Sequence, residues 1–242
     1  ILTQIQSGRE VLLKRTGAKK YIAYFQAYTN TYSDIETLKK MYETALSQED
    51  VIGLSIGTRP DCVPETVIDL LLDYQQQGFD IWLELGLQSA FDETLQKVNR
   101  GHGFKEYKET LLLARSKGLR VCTHLIIGLP GETRQHYHDT LQRVLELGVD
   151  GLKFHPLHVV KGTQLANEWR RGEYQPMQME AYVEVVADLI AQAPEDMIYH
   201  RLTGTANKQQ LLAPAWCSKK WKVLNAIEDR LKSQNRRKVQ WS

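Results

Sequence analysis

Polar and ionisable side chains follow short apolar runs at several places in this 242-residue sequence. The carboxylate of Glu84 interrupts the apolar run Ile81–Leu85, where a charge has to be paired or face a polar cavity. Arg59 follows another such run, and a guanidinium can bind a carboxylate through two parallel hydrogen bonds. The two side chains therefore allow either an ion pair between neighbouring strands or a site for a charged ligand.

Histidines and a glycine-containing turn are the next candidates for chemistry. His155 and His158 could form half of a metal site, but no nearby Cys or carboxylate spacing completes it. His124 lies inside an apolar run, so it either contacts a ligand or is a hydrogen-bonded core residue. The segment from Gly128 to Glu132 opens a helix after a strand, where backbone N–H groups could hold an anion. By itself this segment indicates only a tight strand-to-helix turn.

The composition excludes several classes of protein. The 31 Lys and Arg against 29 Asp and Glu leave a net charge of +2, which argues against a generally basic nucleic-acid binder. No run of about 18 apolar residues is present, so the sequence predicts no membrane span. The three cysteines, Cys62, Cys122 and Cys217, form neither a disulfide framework nor a CxxC zinc motif, and we expect a reducing, cytoplasmic location.

The cysteines and the basic C-terminal segment could indicate nucleophilic catalysis or RNA binding, but the sequence favours a simpler role for each. Neither Cys62 nor Cys122 belongs to a Cys/His/acid motif, so both are expected to be small buried residues rather than nucleophiles. The basic segment Arg236–Lys238 near Trp241 could contact RNA, but a solvated tail is favoured.

The elements that must position these side chains alternate along the chain. Apolar, often β-branched runs alternate with stretches of helical periodicity, which predicts parallel strands with right-handed crossovers. We therefore expect an α/β fold, a partial (β/α)6 TIM-like barrel with outer helices, and a doubly wound open sheet is the alternative. The predicted strands are Tyr21–Ala27, Val51–Gly57, Asp80–Gly86, Arg120–Gly128, Asp150–His155 and Met197–His200.

Helix boundaries also have local sequence patterns. Ser33 and Glu36 form a capping-box pattern at the start of one helix. Gly78, Gly118 and Gly148 are expected to end three others in the left-handed conformation. Beyond the strands, a helix is expected around Trp221–Leu231. We expect a core domain over residues 1–202 and a mostly helical C-terminal extension over residues 203–242.

In parallel α/β folds, ligands bind at the carboxyl ends of the strands. Most of the polar candidates follow predicted strands at those ends. We therefore expect one cleft lined by Gln26, Asn30, Arg59, Glu84, Gln88, His124 and His158.

Taken together, the strand-end sequences resemble the radical S-adenosylmethionine (SAM) superfamily, in the branch of Elp3-like and coproporphyrinogen-dehydrogenase-like proteins. The motifs Phe25–Tyr32, Gly57–Asp61, Glu84–Ser89, Asn99–His102 and His124–Glu132 occur in the family's order. Two further segments, Lys153–Thr163 and Leu211–Cys217, are similar to a bacterial subgroup of YhcC/YtqA-type proteins. The resemblance covers about Gly17 to Leu231.

The resemblance implies SAM and a [4Fe–4S] cluster as cofactors, an electron donor for the cluster as partner, and an oxidoreductase-like enzyme that makes a 5′-deoxyadenosyl radical. It implies that Glu84 faces the ribose or methionine moiety of SAM and that residues 26 and 29–31 lie near the methionine amino group. It also implies that backbone groups of residues 126–128 and 158–161 bind the polar edges of adenine. The implied cofactor-binding residues are Gln26, Thr29, Asn30, Thr31, Arg59, Glu84, Gln88, Ser89, His124, Gly128, His158 and Lys161.

The sequence departs from the family at its defining feature. The CxxxCxxC loop that supplies three thiolates to the cluster is absent, and the three cysteines are too far apart in the sequence to replace it. We expect the cluster cysteines and the first strand upstream of Ile1, no metal ligand in this chain, and no activity from this chain alone.

The sequence leaves the substrate open between RNA and a small molecule, and it leaves the oligomeric state open. Two other functions are considered. One is a cluster-free, metal-assisted hydrolase or lyase that uses His124, His155, His158 and Glu84, and the other is an RNA-binding module.

Overall fold

The computed structural model describes residues 1–26, 29–207 and 209–233. Its main sheet has six strands in the order β1-β2-β3-β4-β5-β7, and β6 pairs with β8 in a separate two-stranded sheet. The strands are β1 (Tyr21–Phe25), β2 (Val51–Thr58), β3 (Asp80–Gln88), β4 (Arg120–Ile127), β5 (Gly151–Pro156), β6 (Val159–Val160), β7 (Ile198–Arg201) and β8 (Leu211–Ala213). The six main-sheet strands agree with the six predicted runs to within two residues at each boundary, and the α/β class is confirmed.

Helices separate most of the strands, as the alternation predicted. They are α1 (Leu2–Thr16), α2 (Ile35–Leu46), α3 (Glu65–Gln76), α4 (Asp92–Lys97), α5 (Phe104–Ser116), α6 (Arg134–Glu146), α7 (Gln164–Arg170), α8 (Met179–Gln192) and α9 (Lys220–Ser233). Among the described residues, no helix is long and apolar enough to cross a membrane. Ala27 and Tyr28, Lys208 and the tail from residue 234, including Arg236–Lys238 and Trp241, lie outside the described residues.

The chain divides into two compact units, and residues 1–86 with 105–122 form the first. In this unit β1 pairs with β2 and β2 pairs with β3, both in parallel. Leu54, Ile56 and Leu83 have no exposed surface, as expected of strands covered by helices. Tyr42 of α2 packs edge-to-face on Phe25 of β1, with ring centroids 5.4 Å apart, and fixes the helix on the sheet.

Residues 87–104 with 123–242 form the second unit. In this unit β5 pairs in parallel with β7, and β6 pairs antiparallel with β8. A small apolar cluster of Val159, Ala166, Tyr174 and Ala213 surrounds the β6–β8 pair. Helix α9 packs on α8 and includes the predicted segment Trp221–Leu231.

Local sequence patterns determine most helix ends, but one prediction about a start is wrong. The predicted capping box of Ser33 and Glu36 does not begin α2, because Asp34 is the N-cap and accepts a hydrogen bond from Thr37 N. Asp34 competes with the neighbouring Ser33 for the N-cap position, and its carboxylate satisfies the first-turn N–H groups as well as a hydroxyl does. Gly78, Gly118 and Gly148 have φ values of +93°, +85° and +78°, which confirms their left-handed helix-ending role.

Two glycine-to-alanine variants of the first unit should change the free energy of unfolding in opposite directions. A Cβ at Gly53 would collide with the backbone oxygen of Asp80 on the paired strand, so Gly53→Ala should lower the free energy of unfolding by about 1–3 kcal/mol or more. Gly8 lies inside α1, and apart from its chain neighbours and the backbone of its own helix, no described atom lies within 4 Å of the position of an alanine Cβ. Gly8→Ala should therefore raise the free energy of unfolding by up to about 1 kcal/mol. Urea denaturation measures both, and equal stability of the Gly53→Ala variant and the parent would contradict the close approach of these strands.

Candidate functional site

The carboxyl ends of β1 and β2 are joined by side chains. Asn30 Nδ2 donates to Phe25 O at 3.0 Å and to Gly57 O at 2.9 Å. Thr31 Oγ1 bonds Thr58 Oγ1 at 2.6 Å. A side-chain amide that satisfies two strand-end carbonyls holds the two strand ends together. Asn30 and Thr31, both predicted as site residues, therefore organise this end of the sheet.

Glu84 lies in β3 and is 2% exposed. Ser55 Oγ, on the neighbouring strand, donates to Glu84 Oε1 at 2.5 Å. The strand register places Gly57 opposite Glu84, and paired residues of parallel strands project to the same face. A Cβ at Gly57 would lie 3.1 Å from Phe25 O and 3.6 Å from the hydroxyl oxygen of Tyr24, so glycine allows the end of β1 to pack closely against β2.

Arg59 follows β2 and pairs with Asp61. Its Nε donates to Asp61 Oδ1 at 2.9 Å and its Nη2 to Asp61 Oδ2 at 2.6 Å. The hydrogen bonds with Asp61 raise the pKa of Arg59 above its usual value. A ligand carboxylate would therefore share this guanidinium with Asp61.

In the second unit, Ser89 connects the end of β3 to the turn after β4. Ser89 Oγ donates to Glu132 Oε1 at 2.5 Å and accepts from Phe91 N at 3.2 Å. Burial raises the pKa of Glu132. Gln88, the last residue of β3, has a φ of +78°, a conformation that non-glycine residues adopt mainly where the surroundings impose it.

The predicted turn at Gly128 is held by two tyrosines that the sequence did not single out. Gly128 N donates to the hydroxyl of Tyr137 at 3.1 Å, and the hydroxyl of Tyr174 donates to Gly128 O at 2.8 Å. The φ of Gly128 is +99°, which favours glycine at this position. Both backbone groups of Gly128 are thus engaged within the protein, which fixes the turn in position.

His155 and His158 contact each other at the carboxyl end of β5. Their ring centroids are 4.7 Å apart, and His155 Nδ1 hydrogen-bonds Pro156 O at 2.8 Å. Burial, with the nearby His158, lowers the pKa of His155 to about 4. Burial also lowers the pKa of His158, against a backbone hydrogen bond with Gly204. Both imidazoles are therefore neutral at pH 7.

The remaining predicted residues occupy varied surroundings. Gln26 follows β1 and is exposed, and His124 is half-buried within β4. Thr29 is half-buried, and its backbone oxygen accepts a hydrogen bond from Tyr32 N at 3.1 Å. The backbone N–H of Lys161 donates to Gln210 O at 2.9 Å. The convergence of all seven predicted residues on one cleft stays a prediction.

The cysteines of this chain do not fit an iron–sulfur cluster. Cys122 and Cys217 have no exposed surface, and Cys62 is half-buried. Burial raises the pKa of Cys217 to about 12 and also raises the pKa of Cys62. Cluster ligands must be thiolates, and burial stabilises these thiols in the protonated form.

Two family models match the chain. The model of the radical SAM superfamily matches residues 6–144, and the model of the radical SAM C-terminal domain matches residues 149–233. YhcC of Escherichia coli K12 is 50% identical over 204 residues, covering 84% of this chain and 66% of that protein. YtqA of Bacillus subtilis is 38% identical over 234 residues, covering 97% of this chain and 72% of that protein. The chain thus spans about two thirds of the length of these relatives.

A solved structure supports the fold. Elp3 of Methanocaldococcus infernus, with an N-terminal deletion, matches with a TM-score of 0.78 at 22% identity, over 95% of this chain and 58% of that one. This likeness confirms the predicted fold class, a partial (β/α)6 TIM-like barrel. The family models, which together match most of the chain, show that it belongs to the radical SAM superfamily, whose members use SAM and a [4Fe–4S] cluster.

Proposed function

We propose that this chain is the SAM-binding and substrate-facing part of an oxidoreductase-like radical SAM enzyme. The observation that carries the proposal is the buried carboxylate of Glu84, held by Ser55 and opposite Gly57 near the carboxyl end of β2. When bound, SAM and the cluster supply the radical chemistry. The protein has to bind SAM, orient it and exclude water.

The first unit offers groups that suit the polar parts of SAM. Glu84 accepts hydrogen bonds from the ribose hydroxyls or the methionine ammonium. Arg59 binds the methionine carboxylate, with its orientation fixed by Asp61. Asn30 acts as a positioning residue, because its amide nitrogen already bonds two strand-end carbonyls.

The second unit offers backbone and polar groups that internal hydrogen bonds already hold in place. The turn at Gly128, held by two tyrosine hydroxyls, offers a fixed edge for adenine. Gln88 and Ser89 are further SAM-binding residues in this proposal, and Ser89 is itself oriented by Glu132. His124 and the segment 158–161 face substrate or SAM, although the Lys161 N–H is already bonded within the protein.

The cluster ligands and the electron donor lie outside this chain in the proposal, since its own cysteines do not fit the cluster. Membership of the radical SAM superfamily favours this function over a cluster-free hydrolase or lyase and over an RNA-binding module. The substrate is RNA or a small molecule, and the division into a core of residues 1–202 and an extension of 203–242 stays a prediction.

Glu84→Gln should weaken SAM binding by the cluster-loaded protein, which is this chain together with the cluster-binding segment that the proposal places outside it. The substitution keeps the shape of the side chain and removes its charge, and the loss of a charged hydrogen bond costs about 1.5–3 kcal/mol, or roughly 10- to 150-fold in Kd. Calorimetric titration with SAM measures the effect. Glu173→Gln is the matched control, because Glu173 is exposed and paired with Arg171.

Urea denaturation of the same variants separates binding from stability. An unchanged Kd for SAM would remove Glu84 from the cofactor site. An unchanged Kd together with a lower free energy of unfolding would assign Glu84 a purely structural role with Ser55.

The chain alone should assemble no [4Fe–4S] cluster and cleave no SAM, because it lacks a CxxxCxxC loop and burial disfavours the thiolate form of Cys62 and Cys217. Anaerobic reconstitution with iron and sulfide, followed by iron assay and visible absorption, measures cluster content. A radical SAM protein that carries the CxxxCxxC loop is the positive control. A stoichiometric cluster in this chain would show that other residues supply the ligands.

A further inference from the structure

Three imidazoles and a guanidinium in the second unit form what we call the histidine–arginine cluster, which consists of His124, His155, His158 and Arg201. His155 is the penultimate residue of β5, and Arg201 is the last residue of β7. The register of these parallel strands pairs Lys153 with Arg201. Since alternate residues of a strand share a face, Arg201 lies beside Lys153 on the face that carries His155.

The ionisable groups that act on His155 are all basic. Besides burial and the Pro156 hydrogen bond, the groups that act on the pKa of His155 are His158, Arg201 and His124, and each lowers it. Arg201 is half-buried and forms no ion pair with any residue that the structure describes. The guanidinium therefore places a positive charge beside neutral imidazoles.

Four other arginines have carboxylate partners, and the half-buried Arg143 donates to Ala90 O and stacks on the Phe104 ring. Arg59, Arg120, Arg134 and Arg171 each pair with a carboxylate of their own unit. A half-buried guanidinium that lacks such a partner retains its donors for a ligand, and its planar fork matches the oxygens of phosphate or carboxylate. The contrast indicates that Arg201 serves a ligand rather than a structural ion pair.

The imidazoles of the cluster are held in fixed positions. A Cβ at Gly204 would collide with His155 Nε2, so the backbone at Gly204 packs directly against that ring. His158 Nε2 is buried and has no hydrogen-bond partner among the residues that the structure describes. A buried polar atom without a partner is uncommon in folded proteins and is expected where a ligand supplies the partner.

We infer that the histidine–arginine cluster binds an oxyanionic group, phosphate or carboxylate, of the substrate. The inference rests on the proposed function, which places the substrate at the carboxyl ends of these strands. Arg201 binds two oxygens of the group through its guanidinium. The negative charge favours protonation of His158, whose Nε2 then becomes a donor towards the oxyanion.

Imidazole nitrogen NMR of the chain tests the inference without SAM or a cluster. Inorganic phosphate and acetate are the probes, titrated separately at constant ionic strength. The expected result is a saturable shift of the His155 and His158 nitrogens towards the protonated form. A bound anion opposes the effect of burial on the pKa of both imidazoles and the effect of Arg201 on the pKa of His155. The probe with the lower Kd assigns the substrate group as phosphate or carboxylate.

Arginine variants make the test specific. Arg201→Gln should weaken the response at least tenfold, and Arg201→Lys, which keeps the charge, should retain part of it. Arg171→Gln, at an exposed pair with Glu173, is the matched control and should leave the titration unchanged. Circular dichroism verifies that each variant is folded.

Failure of this inference is distinguishable from failure of the proposed function. No saturable shift, or the same shift in Arg201→Gln, would overturn the inference and indicate an adventitious ion only. Normal SAM binding by the cluster-loaded protein in that case would leave the proposed function intact. Conversely, oxyanion binding that depends on Arg201 supports the site even where SAM binding fails.

Discussion

A carboxylate buried within a parallel sheet is the constraint on which the candidate site depends. Moving such a charge out of water costs several kcal/mol unless hydrogen bonds compensate it. Ser55 provides one such bond to Glu84 from the neighbouring strand. The opposite face of β3 is fully apolar at Ile81, Leu83 and Leu85, so the polar contacts are confined to one face. The residue opposite Glu84 is Gly57, which adds no side chain to that face.

The loops at the strand ends are held by side chains rather than by regular secondary structure. Asn30 joins the ends of β1 and β2, and Tyr137 with Tyr174 holds the turn at Gly128. Each of these bonds satisfies backbone groups that strand pairing leaves over. A ligand that binds at these ends meets groups already in place, which reduces the entropy lost on binding.

The main-sheet strands could be predicted from the sequence, because a parallel sheet covered by helices is built from continuous apolar runs. The helix ends at Gly78, Gly118 and Gly148 could be predicted as well, since a left-handed helix end favours glycine. Helix α1 was not predicted, because its apolar residues, such as Leu12 and Leu13, are exposed and form no clear buried face. The pair of β6 and β8 was missed because strands of two and three residues, about 50 residues apart in the chain, depend on tertiary contacts.

Part of the candidate site could also be predicted from the sequence. Glu84 stood out because a charge inside an apolar run needs a local explanation, and the structure supplies Ser55. Tyr137 and Tyr174 did not stand out, because a tyrosine on an apolar helix face or in a loop has many ordinary roles. Their bonds to Gly128 depend on residues that are distant in sequence and on a fold that composition alone does not specify.

Amide hydrogen exchange of the cluster-loaded protein, with and without SAM, tests the central claim most directly. The account predicts slower exchange on SAM binding at residues 29–31, 57–59, 84–89 and 126–132, and little change in α8 and α9. Protection confined to other segments, or no protection at a SAM concentration that saturates binding, would contradict a SAM site at the carboxyl ends of these strands.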